Sequence, residues 1–269
     1  MEIDKNFFML CYSTTKQEIN NFSNEKFKAN IKYDGERIIA VKKGDDIFLI
    51  NRNGREKSFI YPEVKESLNA LNFDFIFDGE VITTNGKFNS LQHRSNLADR
   101  EKIRKAVKEN PVIFMIFDVI SFKGEDLRNK PLKERIKYLK EIDFTSLKSV
   151  GFAVYENIRK CLDNAEREKL EGIVIKNMES RYEHRRSDSW LKLKFFKEMP
   201  LLMIRYSENP KGIRAEDKEL NAIQIAGIMS RVVKKEIDER GSCPIIAQYL
   251  EKTNEGRLRF PSFKEVILK

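Results

Sequence analysis

Apolar runs too short for helices, each closed by turn residues, constrain this chain more than any other feature. Residues 37–41 and 47–50 flank Lys43-Gly44-Asp45-Asp46, the pattern of two strands joined by a hairpin. Further runs at 73–82, 111–121, 171–176 and 189–196, most of them rich in Val, Ile and Phe, predict more strands. Helical patterns fill 62–71, 99–109, 131–141 and 155–169. The one at 99–109 starts on Asp99 and stops at Asn110-Pro111, which is sensible boundary chemistry. Strands with interspersed helices predict an α+β domain.

The pattern changes at Lys197-Glu198-Met199-Pro200. Beyond it lie strand-like runs at 201–207, 221–229, 245–250 and 257–260, with a short helix predicted near 230–239. Several short strands in so few residues predict a small β-barrel, so the expected domains are 1–197 and 198–269. The formal charge is +9, and residues 198–269 hold 13 basic against 11 acidic side chains, so most of the excess precedes them. A basic chain of this kind suits a polyanionic partner. Cys11, Cys161 and Cys243 are few, odd in number and far apart, which argues against a disulfide framework or zinc site and for a reduced cytoplasmic setting. No apolar run reaches the roughly 18 residues of a membrane span, and the N-terminus does not read as a signal peptide.

The segment richest in chemistry is Lys32-Tyr33-Asp34-Gly35-Glu36-Arg37, where a lysine leaves one strand and enters a turn. An amine attacks only when neutral, and a reference pKa of about 10.4 leaves fewer than one lysine in a thousand neutral at pH 7. A reactive lysine therefore needs nearby cations or desolvation. Downstream come Phe77-Asp78-Gly79-Glu80, Phe114-Met115-Ile116-Phe117-Asp118, Glu171-Gly172-Ile173-Val174-Ile175-Lys176 and Trp190-Leu191-Lys192-Leu193-Lys194. In a strand, residues two apart share a face, so Lys192 and Lys194 project together with Trp190. Two lysines on one face suit a polyanion such as a triphosphate.

This ordered series resembles the nucleotidyltransferase superfamily of polynucleotide ligases and capping enzymes, over Lys32 to Lys194. The resemblance implies an adenylation domain with antiparallel sheets and flanking helices, followed by an OB-fold barrel. It implies that Lys32 attacks the α-phosphate of ATP to form lysyl–AMP. Arg37 is implied at the ribose or the nick 5′-phosphate, and Arg52 at a second phosphate. Glu80 is implied on the ribose hydroxyls, Phe117 on the adenine, and Asp34 in the later transfer steps. Lys176, Lys192 and Lys194 are implied at the α-phosphate and pyrophosphate. Glu171, with Glu80, is implied to hold Mg2+, with Mn2+ as a substitute. Asn30 stands where many relatives carry a Glu facing adenine, and an amide still offers a donor and an acceptor.

Within the superfamily, Phe122-Lys123-Gly124, Pro131 to Arg135 and the tail Gly256 to Phe263 resemble ATP-dependent DNA ligases. The expected partner is then nicked duplex DNA, and the expected state a monomer. RNA ligation or capping is the alternative chemistry, and a catalytically silent nucleic-acid-binding module a third reading. The chain ends Lys264 to Lys269 without the Arg-x-Asp-Lys segment common after such a tail. Basic stretches at Lys102 to Lys108 and Arg181 to Arg186, and the pair Gln92 and Arg94, are further candidates for DNA contact.

Overall fold

A computed structural model of the chain describes residues 3–4, 6–85, 88–253 and 255–267. Met1, Glu2 and Lys5 of the N-terminal segment and Leu268 and Lys269 of the terminal one lie outside them. In chain order the first unit contains β1 (Leu10–Ser13), β2 (Phe27–Ile31), β3 (Glu36–Lys43), β4 (Asp46–Asn51), α1 (Pro62–Asn69), β5 (Phe75–Thr83), α2 (Phe88–Ser95) and α3 (Arg100–Glu109). It continues through β6 (Val112–Phe122), β7 (Glu125–Asp126), α4 (Leu132–Leu139), β8 (Val150–Phe152), α5 (Ile158–Arg167), β9 (Gly172–Asn177) and β10 (Arg186–Lys194). The chain divides between Leu193 and Lys194, a few residues before the boundary expected at 197.

Two sheets form the first unit. One runs β1-β10-β9-β2; the other runs β4-β3-β5-β6-β7, with β8 also on β6. The expected antiparallel sheets are in fact mixed, because β1 pairs with β10 and β8 with β6 in parallel. The β3–β4 hairpin forms where the Gly44 turn placed it. Asp99 caps α3, its carboxylate accepting from the Lys102 amide at 2.9 Å. α1 and α2 cover one face of the larger sheet through Val64, Leu68 and Leu91. Its other face contributes Ile39, Phe117 and Ile120 to a second apolar cluster that includes Phe8, Tyr182 and Trp190.

The chain changes sheets between β2 and β3, and Lys32 lies in that crossing. The Lys32 amide still bonds to the Gly172 carbonyl at 2.9 Å, extending the β2–β9 ladder by one residue. By Glu36 the chain is already paired with β5 in the other sheet. Gly35 makes the passage possible: a Cβ there would meet the Val81 carbonyl oxygen at 2.2 Å. Gly79, opposite Ile38, is held as tightly, with Phe114 and the Met115 carbonyl within 3 Å of any added Cβ. The glycines of the two acidic segments are thus requirements of close backbone approach.

The second unit contains β11 (Lys197–Met203), β12 (Arg205–Asn209), β13 (Gly212–Glu216), β14 (Ala222–Ile225), α6 (Gly227–Arg240), β15 (Cys243–Tyr249), β16 (Glu251–Lys252), β17 (Leu258–Arg259) and β18 (Ser262–Val266). Three small sheets, β11-β15-β18, β12-β13-β14 and β16-β17, enclose an apolar cluster around Met203, Ile223, Val233 and Ile245. The run read as one strand at 221–229 ends at Ile225, because Gly227 takes a φ of +63° and opens α6.

Asp118 and Arg135 form a fully buried bidentate ion pair, at 2.8 and 2.7 Å. Arg135 also donates to the carbonyls of Lys130 and Ser180. The acid of the FxxFD segment therefore locks α4 onto β6. Asp118→Ala strands the guanidinium in the interior. It is expected to lower unfolding stability by about 3–5 kcal/mol, measured by urea denaturation, while adding Arg135→Met recovers much of the loss.

Candidate functional site

Glu171 immediately precedes β9, so the Lys32–Gly172 backbone bond brings it beside the nucleophile candidate. Lys32 Nζ donates to Glu171 Oε2 at 2.6 Å, with the lysine side chain 22% exposed and the glutamate 7%. The amine is thus held within a recess and is still reachable. Glu80 comes from the other sheet, where the β3–β5 register sets it across from Arg37. Burial pushes the Glu80 carboxyl up to about 8; Lys32 and Arg37 pull it down, and Glu171 and Asp78 push it up. Lys32, Arg37, Glu80 and Glu171 therefore share one electrostatic field.

Arg37 is committed more deeply than expected. Its Nε and Nη2 donate to Asp78 at 3.0 and 2.6 Å, and its guanidinium lies 5.3–5.8 Å from the ring centroids of Phe8, Phe117 and Trp190. Burial disfavours its charge, but the Asp78 carboxylate more than compensates and holds its pKa above the ordinary arginine range. Tyr182 donates to the same Asp78 carboxylate at 2.7 Å and accepts from the Met9 amide at 3.3 Å. Asp78 and Tyr182, neither singled out as a site residue in the sequence, thus fix Arg37. For Asp78 a signal existed, since it alternates with Glu80 on β5; for Tyr182 none did.

Lys176 lies apart from the Lys32–Glu171 contact. It pairs with Lys28, whereas the Lys32 amide meets Gly172, so the two lysines are separated by four strand residues, or roughly 13 Å of backbone. It is 1% exposed and lies among aromatic rings, 3.8 Å from the Trp190 centroid and 4.3 Å from that of Phe117. Burial lowers its amine to about 7, against the opposing pull of Asp118. Phe117 itself is 8% exposed and meets Trp190 edge-on.

Asn30, 2% exposed and next to Val174 in the β2–β9 register, donates its Nδ2 to the Ile31 carbonyl at 2.8 Å. Its buried Oδ1 has no partner among the described residues. Such an orphaned acceptor costs free energy unless something supplies a donor. Arg52 is exposed in the turn after β4, a turn held by Asn51 Oδ1, which accepts from the amides of Asn53 and Arg55 at 3.0 Å. Asp34 lies in the crossing itself, half-buried. Lys192 stands on β10 beside β9, while Lys194 is grouped with the second unit. Arg94, offered as a DNA contact, is instead 1% exposed and clamps Glu63 and the carbonyls of Ile60 and Asn110.

Glu80 and Glu171 form a carboxylate pair of the kind that Mg2+ joins through oxygen atoms, leaving its other positions to phosphate and water. Among the described residues no group of three His, Cys, Asp or Glu side chains gathers to hold a metal unaided. That donor set fits a metal brought in together with a phosphate ligand. No helix among the described residues is long and apolar enough to cross a membrane.

The profile of the family described as the ATP dependent DNA ligase domain matches residues 8–194. A DNA ligase of Acidianus ambivalens is 33% identical over 179 residues, 61% of this chain and 29% of that protein, so this chain spans less than a third of that relative. The SPbeta prophage-derived DNA ligase-like protein LigB of Bacillus subtilis is 28% identical over 259 residues, covering 90% of this chain and 93% of its own. In fold, the chain is similar to the ligase domain of LigD from M. tuberculosis, with a TM-score of 0.59 at 18% identity over 97% of this chain and 95% of that one. Because the profile match takes in every strand that builds the recess around Lys32, the chain belongs to the ATP-dependent DNA ligase family.

Proposed function

We propose that this chain seals 5′-phosphate/3′-hydroxyl nicks in duplex DNA, using ATP and the Lys32 amine. The observation that carries the reading is the Lys32–Glu171 contact at 2.6 Å, in a recess that also holds Glu80 and Arg37. Neutral Lys32 Nζ attacks the α-phosphorus of ATP. A P–N bond forms, the P–O bond to pyrophosphate breaks, pyrophosphate leaves with the electron pair, and the nitrogen releases one proton to solvent. An oxygen of the nick 5′-phosphate then takes the AMP, breaking the P–N bond, and Lys32 regains a proton. Finally the 3′-hydroxyl oxygen attacks the 5′-phosphorus, the P–O bond to AMP breaks, AMP departs with the electron pair, and the hydroxyl proton passes to solvent.

Each residue has a part in this reading. Asn30 Oδ1 is suited to accept the exocyclic amine of adenine, which would relieve its orphaned state. Phe117 supplies an aromatic surface for the base, and Glu80 accepts from the ribose hydroxyls. Arg37, steadied by Asp78, and Arg52, on its exposed turn, meet the 5′-phosphate. Lys192 and Lys194 neutralise the departing pyrophosphate, and Asp34 serves the later transfers. Such reactions depend chiefly on positioning and charge neutralisation. Glu171 and Glu80 would hold Mg2+, which supplies charge neutralisation at the phosphate oxygens when bound. The Lys32–Glu171 ion pair must part before the amine attacks, so Glu171 exchanges one cation for another. We read the second unit as the OB-fold half, the protein as a cytoplasmic monomer, and nicked duplex DNA as its partner.

Lys32→Ala is expected to reduce transfer of radiolabelled AMP from ATP to the protein by about three orders of magnitude or more. Undiminished labelling of that variant would sink the assignment. A panel of nicked DNA, RNA and hybrid duplexes with ATP and GTP is expected to show sealing of DNA with ATP; labelling by GTP alone would point to capping.

The acid at position 80 adds a pH dependence. Its carboxyl titrates near 8 when folded against a reference of 4.5, so the folded state holds the extra proton between those values. Its contribution to stability is present below pH 4.5 and is lost as pH rises towards 8. Melting curves of the wild type and Glu80→Gln should therefore diverge as pH rises from 5 to 8, with the variant gaining relative stability. Added Mg2+ should narrow that difference at the upper end.

A further inference from the structure

Lysine is almost never fully buried without a carboxylate partner, yet among the described residues no carboxylate is hydrogen-bonded to Lys176. Its amine donates to the Tyr155 hydroxyl at 2.8 Å and faces three rings: Trp190 at 3.8 Å, Phe117 at 4.3 Å and Tyr155 at 5.1 Å. Tyr155 in turn donates to the backbone carbonyl of Phe117 at 2.5 Å. Phe117 is therefore gripped twice by one short chain of contacts. Its ring lies against the ammonium, and its main chain is tied to the hydroxyl that the ammonium also bonds. The charged and titratable groups around the amine are Asp118 and Asp78 of the larger sheet, Arg37 on β3, Cys11 on β1 and Tyr155 itself.

We propose that Lys176 and Tyr155 are positioning residues that hold Phe117 in the orientation required to receive the nucleotide base. This rests on the reading of Phe117 as the base-stacking surface. A desolvated cation against a ring face is a strong restraint on that ring. A plain apolar side chain at 176 would fill the space but would fix neither the ring nor the Tyr155 hydroxyl. Neither residue needs to touch a phosphate.

The test compares wild type, Lys176→Met, Lys176→Arg and Tyr155→Phe in both directions of self-adenylylation. Forward, labelled ATP is titrated; in reverse, adenylylated protein is titrated with pyrophosphate. Positioning predicts that Lys176→Met raises the KM for ATP by about tenfold. The rate at saturating ATP should stay within about twofold and the KM for pyrophosphate should not change. Tyr155→Phe should move the same way by less, and Lys176→Arg should recover part of the loss. A raised KM for pyrophosphate would instead make Lys176 a phosphate contact and overturn the proposal, as would an unchanged KM for ATP in Lys176→Met.

Trp190, the one tryptophan of the chain, gives an independent readout. Its fluorescence in the nucleotide-free protein should titrate near neutral pH in the wild type and not in Lys176→Met, with melting curves showing that the variant is folded. A titration unchanged in the variant would show that the ammonium does not act on this cage. Because Lys32→Ala tests the labelling reaction itself, failure of the broader reading and failure of this one give different results.

Discussion

A lysine and a glutamate 139 residues apart meet at 2.6 Å because one backbone hydrogen bond carries a ladder a single residue past the end of a strand. That bond, from the Lys32 amide to Gly172, sets the start of β9 opposite the last residue before the chain leaves its sheet. Were it absent, Lys32 would belong to a loose connection, and its side chain would have no fixed relation to Glu171. The passage into the second sheet is just as constrained, since no side chain fits at Gly35 against the Val81 carbonyl. The nucleophile candidate thus stands between two rigid ladders, and the acids that surround it are contributed by both.

Around this point the polar interior forms two linked clusters. In one, Asp78 receives Arg37 and Tyr182; in the other, Asp118 receives Arg135. The two acids face each other in the β5–β6 register, so adjoining strands each carry a buried carboxylate satisfied by a guanidinium. Single buried charges of this kind are costly to leave unpaired. Such pairs restrict what may be changed around the site, and they give Asp78 of the FDGE segment and Asp118 of the FxxFD segment a role in holding buried guanidinium groups.

Much of this was readable in the residues. The apolar run at 73–82 correctly gave the strand that carries Asp78 and Glu80, and the Gly44 turn correctly gave the β3–β4 hairpin. Periodicity, however, says which side chains share a strand face and nothing about which sheet that strand joins. The crossing at Lys32–Gly35, the parallel pairing of β1 with β10, and the division of the core into two clusters were therefore invisible. Tyr155 and Tyr182 lie outside regular strands and owe their positions to contacts with residues far away in the chain. Lys176 shows the same limit from the other side. Its place in an EGIVIK segment suggested a phosphate, and nothing in the segment announced the aromatic cage in which the strand register sets it.

The division of labour between the sheets has a mechanical corollary. Lys32 and Glu171 ride on one layer; Arg37 and Glu80 ride on the other. The spacing of these four polar groups consequently depends on the apolar filling between those layers, to which Phe8, Ile39 and Ile120 contribute. Side chains of the apolar filling thereby act as shims. A bulkier or slimmer side chain among them would alter the gap between the Lys32–Glu171 pair and the Arg37 and Glu80 side chains, in molecules whose overall architecture is untouched.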